Sequence, residues 1–311
     1  MRKLKEEIKR ALKYGNLRYK MICLFLDKIG YSNHTLHKLE VRNKVYRYVK
    51  KKYRYVVLNF SHDGKKINNN SDVWICWLQG IENAPDIVRK CVESIEYWLN
   101  DKQIHFIDKS NLFDYIDLPN YIIEKWNNGV ISNTLFSDFI RLSLLKKYGG
   151  LWIDSTVFLT GRLPDYIDNH NFFMYRTPIE DEAKIGESWL LKSPANDELI
   201  CLTLDIMLEY WKKEYKIRDY FLMFICMKIA SVKVGSFRNK VLEVPNRLPE
   251  ILECYLNYEY SPILWDEICS LTTVHKLNYK RLEYKDNTFL KKILEIQYIS
   301  GKEKQSGIIE E

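Results

Sequence analysis

A chain of 311 residues with 46% apolar and 14% aromatic residues has the material for a sizeable core, and an intrinsically disordered protein, poor in both, is excluded. Seven cysteines, at 23, 76, 91, 201, 226, 254 and 269, are odd in number and scattered without a Cys-x-x-Cys pair. A disulfide scaffold and a zinc finger are therefore excluded too, and the thiols read as reduced core residues of a cytosolic protein.

The net charge of +7 conceals an asymmetry, because residues 1–70 hold 19 Lys and Arg against 5 Asp and Glu, net +14, and the remainder 29 against 36, net −7. The basic part reads as helical from Arg2 to Ile29, interrupted at Tyr14-Gly15-Asn16, and again from Thr35 to Tyr53. Val56 to Phe60 fits either a strand or the end of that helix. Ser61 to Asp72, with Gly64 and Asn68-Asn69-Asn70, is turn-rich and marks the expected boundary between a basic, mostly helical extension (1–70) and the main domain (71–300). Residues 301–311 are a polar tail.

Val73 to Leu78 is a continuous apolar run of strand length, the pattern of a central parallel strand. Pro85 opens a helix running through Leu99, and Gln103 to Asp108 gives a second strand. Asp117-Leu118-Pro119 leads into a connecting helix. Further strands are expected at 172–176 and 188–193, and helices at 197–214 and 218–229. This alternation predicts an α/β fold. The longest apolar runs, 21–26 and 221–227, fall far short of the roughly 20 residues of a membrane-spanning helix. The N-terminus lacks the apolar region and small-residue cleavage site of a signal peptide.

Between the connecting helix and the third strand lies the most informative segment, SDFIRLSLLKKYGGLWIDST from Ser137 to Thr156. Leu135, Phe139, Leu142 and Leu145 recur at helical spacing and predict a buried face, with Asp138 and Arg141 one turn apart on a different face. Lys146 and Lys147 suit a last helical turn, and Gly149 and Gly150 suit the left-handed backbone just past it. Leu151 to Ile153 then form a short buried strand ending on Asp154, Ser155 and Thr156. Oxygen-bearing side chains at the carboxyl end of such a strand commonly face a ligand crevice.

The ordered set Ser137, Asp138, Arg141, Gly149, Gly150, Trp152, Asp154 and Thr156 resembles the capsular polysaccharide synthesis glycosyltransferases, relatives of the DXD-containing sugar transferases with the GT-A fold. The resemblance extends in outline from Val73 to Lys280, through the strand ending at Trp77-Leu78-Gln79-Gly80, Asp219-Tyr220-Phe221 and His275-Lys276-Leu277. It implies a GT-A-like nucleotide-sugar-binding domain and a hexosyltransferase that uses a UDP-sugar to extend a capsular polysaccharide or lipid-linked oligosaccharide, with retention of configuration. A toxin-like protein glycosyltransferase and a non-catalytic nucleotide-sugar binder are its alternatives.

The resemblance assigns catalysis to Asp154, Asp138 and Arg141, and donor binding to Trp77, Gln79, Gly80, Trp152 and Lys276 together with Asp138 and Arg141. The second acid of the DXD pattern is Thr156 in this chain. A divalent cation, Mn2+ or Mg2+, would be held by Asp154, Thr156 and His275, because carboxylate oxygens suit hard cations. Each assignment has a structural rival: a surface ion pair for Asp138 and Arg141, a turn cap for Asp154, core packing for Trp77, and a satisfied core histidine for His275. Of Asp219-Tyr220-Phe221, only Asp219 is expected near an acceptor, the two rings reading as core. The basic segment 1–60 is expected to meet an anionic membrane surface, placing the protein in the cytoplasm at the inner face of a bacterial cell membrane. A solvated basic face or an interface with the acidic remainder of the chain is the rival, and nucleic acid is not the expected partner.

Overall fold

The computed structural model describes residues 34–64, 71–177, 183–235, 242–280 and 282–298, with Asp181 and isolated positions before His34. The helical reading of Arg2 to Ile29 and the tail from 301 fall essentially outside the described residues. Seven strands are described: β1 Val73–Cys76, β2 Ile104–Ile107, β3 Gly150–Ile153, β4 Val157–Leu159, β5 Phe173–Met174, β6 Leu190–Ser193 and β7 Val274–Lys276. Five form one sheet in the order β2-β1-β3-β6-β5, and β4 pairs with β7 in a separate two-stranded ribbon. β1 runs parallel to β2 and β3, whereas β6 is antiparallel to both β3 and β5.

Central strands covered on both faces need apolar side chains at successive positions, not only alternate ones. β1 and β3 meet that demand. Trp74 and Trp152 enter the core built with the helices Asn133–Tyr148, Glu198–Lys213 and Leu222–Val234. Val73, Ile75, Leu151 and Ile153 enter a second core with Val92 and Ile95 of the Asp86–Trp98 helix. The α/β expectation holds, with a mixed sheet whose first three strands are parallel.

The Asn133–Tyr148 helix departs from the one-sided burial suggested by its sequence. Leu135, Phe139, Leu142 and Leu145 are buried, but so are Phe136, Ile140, Leu144, Asp138 and Arg141. Packing from the Glu198–Lys213 helix closes a side that local periodicity leaves open. Ser132 caps its start by accepting from Leu135 N–H at 3.4 Å.

The helix stops at Gly149, whose φ is 70°, and Gly150 follows at φ 97°. A Cβ on Gly149 would lie 2.4 Å from Ala195 N, and one on Gly150 2.4 Å from Asp72 O. The glycine pair thus serves two purposes, a left-handed exit from the helix and the close approach that sets β3 beside β1. Neighbouring backbone, not a flexible side chain, fills the space.

The basic segment is fastened to the body of the protein. Val45, Val49 and Tyr53 join the first core, and the His34–Lys52 helix packs on Leu222–Val234. Glu214 accepts from Lys52 Nζ at 2.5 Å and from Tyr48 Oη at 2.6 Å. Residues 54–59 are helical, which decides between the two readings of that stretch. No helix among the described residues is long and apolar enough to cross a membrane.

Gly150→Ala is expected to lower unfolding free energy by about 3 kcal/mol, combining positive-φ strain with a backbone clash. Urea denaturation of the variant against wild type measures it, and a loss under about 1 kcal/mol would show that β3 yields easily.

Candidate functional site

The carboxyl ends of β1 and β3, the start of the Asn133–Tyr148 helix and the segment after β7 surround a cavity of about 520 Å³. Its walls include Trp77, Gln79, Ser137, Arg141, Trp152, Asp154, Thr156, Trp189, Tyr220, Glu250 and Lys276.

Arg141 is the most constrained group there. Nη1 donates to Asp138 Oδ1 at 2.7 Å and to Ser188 Oγ at 2.5 Å, Nη2 donates to Asp154 Oδ1 at 3.1 Å, and the guanidinium carbon lies 5.0 Å from the Trp152 ring centre. Its side chain is 6% exposed, so the surface ion-pair reading is excluded. Burial pushes the Asp138 carboxyl up to about 7, opposed by Arg141 and reinforced by Asp154. Asp138 is not a wall of the cavity; it acts on Arg141 from behind.

Asp154 faces the cavity with its side chain 28% exposed. Its Oδ1 accepts from Trp152 Nε1 at 2.7 Å as well as from Arg141, and its backbone N–H donates to Trp189 O at 2.8 Å. Trp152 is thereby fully buried and spends its one donor on orienting the carboxylate. Asp154 O also accepts from Val157 N–H, so the turn reading and the cavity-facing reading are both true of this residue.

Period-two alternation separates the two β7 residues expected to act together. Lys276 lines the cavity and donates from Nζ to Thr156 Oγ1 at 2.6 Å. His275, paired across from Phe158 in β4, is fully buried, with Nε2 3.0 Å from Thr160 Oγ1. Burial lowers its pKa to about 4, so the ring is neutral. The ligand set Asp154, Thr156 and His275 is therefore not brought together: His275 turns away from the cavity, and the Thr156 hydroxyl is engaged by an ammonium. Among the described residues no three His, Cys, Asp or Glu side chains converge to hold a metal.

Trp77 lines the cavity with its ring 5.4 Å from Tyr279 in an edge-to-face pair, and its Nε1 has no partner. Gln79 is an exposed wall, whereas Gly80 stands at φ 82° behind it and makes the turn out of β1. Cys76 lines the cavity too, but burial pushes its thiol up to about 12, which removes it as a nucleophile at neutral pH.

Four groups escape the sequence reading. Ser188 anchors Arg141. Trp189, 5% exposed, aligns one ring face on Tyr175 and leaves its Nε1 unpartnered. Glu250 stands in the wall with a pKa raised by burial and by Glu187. Tyr220 is half exposed and lines the cavity, while Asp219 accepts from Phe221 N–H at 2.8 Å and pairs with Arg42. Tyr220, expected in the core, is thus on the cavity wall, and Asp219 is not among the lining residues. Only the Ser188-Trp189 pair at the start of a strand-like run carried a local signal.

A model of the family described as capsular polysaccharide synthesis protein matches residues 28–293. The chain belongs to that family. Its curated relatives include O-glycosyltransferase braB of Annulohypoxylon truncatum, 29% identical over 112 residues, covering 32% of this chain and 26% of the relative. O-glycosyltransferase PaGT of Phomopsis amygdali is 24% identical over 176 residues, 50% of this chain and 42% of the relative. The chain thus spans about a quarter and two fifths of these two relatives. Among solved structures, PaToxG Glycosyltransferase aligns at TM-score 0.38 and 13% identity, covering 66% of this chain and 82% of that one. The apo form of glycosyltransferase GlyE in Streptococcus pneumoniae TIGR4 aligns at TM-score 0.40 and 11% identity, covering 74% and 61%. Both structural likenesses are distant, and membership of the family rests on the family model.

Asp138 keeps its proton up to about pH 7 in the folded chain and loses it near pH 4 when unfolded. Its contribution therefore favours folding at acid pH and is lost as pH rises from about 4 to about 7. Relative to Asp138→Asn, wild type is expected to lose stability between pH 5 and pH 8 in urea titrations. A constant difference across that range would contradict the raised pKa.

Proposed function

We propose that this family member is a glycosyltransferase that moves a hexose from a UDP-sugar to a growing surface polysaccharide or lipid-linked oligosaccharide, with retention. The observation that carries the reading is the Arg141 fork, fixed between buried Asp138 and cavity-facing Asp154 on the wall of a cleft that also presents Lys276 and the Trp77–Tyr279 pair. A nucleoside diphosphate sugar asks for those three things: a planar surface for the base, cations for the diphosphate and fixed polar groups for the sugar.

Breaking the bond between the anomeric carbon and the phosphate oxygen leaves the electron pair on UDP. Arg141 and Lys276 meet that charge at no cost of reorganisation, since both are already fixed by hydrogen bonds. The acceptor hydroxyl oxygen bonds to the anomeric carbon from the same face, and its proton passes to the departing phosphate oxygen. No separate base is then required. Glu250 and Tyr220 are assigned to the acceptor side, where the Glu250 carboxylate accepts from the attacking hydroxyl and fixes its direction.

A divalent cation, if bound, would be held by the Asp154 carboxylate, the sparing protein ligation that Mg2+ tolerates. When bound it would add positive charge to the leaving diphosphate.

UDP release from a panel of UDP-hexoses by purified protein tests the proposal. Asp154→Asn and Arg141→Lys are each expected to reduce kcat/KM by about a hundredfold or more, the second because an ammonium cannot span the three acceptors of a fork. EDTA is expected to suppress release and Mn2+ to restore it. Donor-specific turnover unaffected by either substitution would place the chemistry elsewhere. In a complete assay with acceptor, Glu250→Gln is expected to raise the acceptor KM while leaving donor hydrolysis unchanged; an equal loss in both would move Glu250 to the donor side.

A further inference from the structure

Outside the cavity, charge is one-sided around a groove of about 610 Å³ between the helices His34–Lys52 and Arg54–Asn59 and the end of the Leu222–Val234 helix. Arg47, Lys50, Lys51 and Arg54 rim it from one side and Lys233 from the other. Its surface is nevertheless apolar, with Leu58 62% and Val232 57% exposed. Among the described residues none of the five cations has a carboxylate partner, whereas the neighbouring Lys52 is held by Glu214.

We infer that this groove docks the protein on an anionic lipid surface, the five cations meeting headgroups while Leu58 and Val232 enter the acyl boundary. Two components together are what stable peripheral attachment requires, since cations alone remain outside the bilayer and two aliphatic side chains alone bind weakly. The floor is aliphatic and offers no ring, which disfavours single-stranded nucleic acid, whose bases need stacking platforms. Residues 1–33 carry 9 Lys and Arg against 3 Asp and Glu, the same sign as the groove, so charge favours an anionic surface over that segment as its occupant. The docking surface is independent of the transfer chemistry, and its test reads partition, not turnover.

Full-length protein is mixed with vesicles of phosphatidylcholine alone or with one third phosphatidylglycerol, and the bound fraction is measured by flotation. Wild type is expected on the anionic vesicles only. Lys50→Glu/Lys51→Glu/Arg54→Glu should lower the partition coefficient about a hundredfold or more, and Leu58→Ser/Val232→Ser about tenfold. Both variants should retain the wild-type melting temperature and UDP release, because all five positions are exposed and none of them lines the cavity. Undiminished vesicle binding by either folded variant would overturn the proposal and place attachment elsewhere, the residues before His34 included. Equal binding to neutral vesicles, tighter binding of single-stranded DNA than of vesicles, or a concentration-dependent dimer that the same substitutions dissolve would overturn it as well.

Discussion

A guanidinium removed from water must be given partners, and in this protein that demand organises the site. The four groups that hold Arg141, whose Nε alone is left without a partner, come from separate parts of the chain: Asp138 from its own helix, Trp152 from β3, Asp154 from the end of that strand, and Ser188 from the approach to β6. Burial pushes Asp138 towards neutrality, against the pull of Arg141 and with a smaller push from the second carboxylate, while Asp154 keeps contact with solvent. Such an arrangement does little for stability, because desolvating the ions offsets most of their attraction. What it supplies is a carboxylate and a cation whose positions are set before any ligand arrives.

The ribbon of β4 and β7 completes the opposite wall with a different economy of charge. Where a paired-acid motif would place a second carboxylate, the chain has Thr156, and its hydroxyl accepts from Lys276. Positive charge is therefore built in at this edge by a side chain. With Trp152 occupied in holding Asp154, the indole N–H groups of Trp77 and Trp189 are buried donors of wall residues that have no partner, as is Arg141 Nε. An unpaired buried donor costs free energy comparable to a lost hydrogen bond, so both indoles favour an incoming oxygen.

What could be read from sequence was whatever short-range geometry enforces. Gly149-Gly150 announced a left-handed helix exit, β1 and β3 announced themselves as continuous apolar runs, and Asp138 to Arg141 announced a pair one turn apart. Burial of that pair could not be read, because it depends on helices 198–213 and 222–234 closing over it. His275 and Lys276 illustrate the same limit: adjacent strand residues point to opposite faces, and only the register with β4 decides which meets the cavity. Ser188, Trp189, Tyr220 and Glu250 sit on connections, so their meeting is a product of topology with almost no local signature. The placement of Tyr220 on the wall with Asp219 off it has a plain cause, since an aspartate just before a helix is drawn to a backbone N–H and its neighbour is left outside.

The charge asymmetry also acquires a physical form. On the His34–Lys52 helix and its continuation, Val45, Val49 and Tyr53 face the core, while Arg47, Lys50, Lys51 and Arg54 lie on the outer side. The same helix therefore spends its apolar stripe on attachment and keeps Arg47, Lys50 and Lys51 without a carboxylate partner among the described residues. Had the excess positive charge served only to bind the acidic remainder, those cations would have been drawn into ion pairs as Lys52 and Arg42 are. Their exclusion from such pairs, beside exposed Leu58 and Val232, is a cost in self-repulsion and in apolar surface left in water. Neither cost is offset by any described contact within the chain, which is the reason for looking outside it for an anionic partner with an apolar interior.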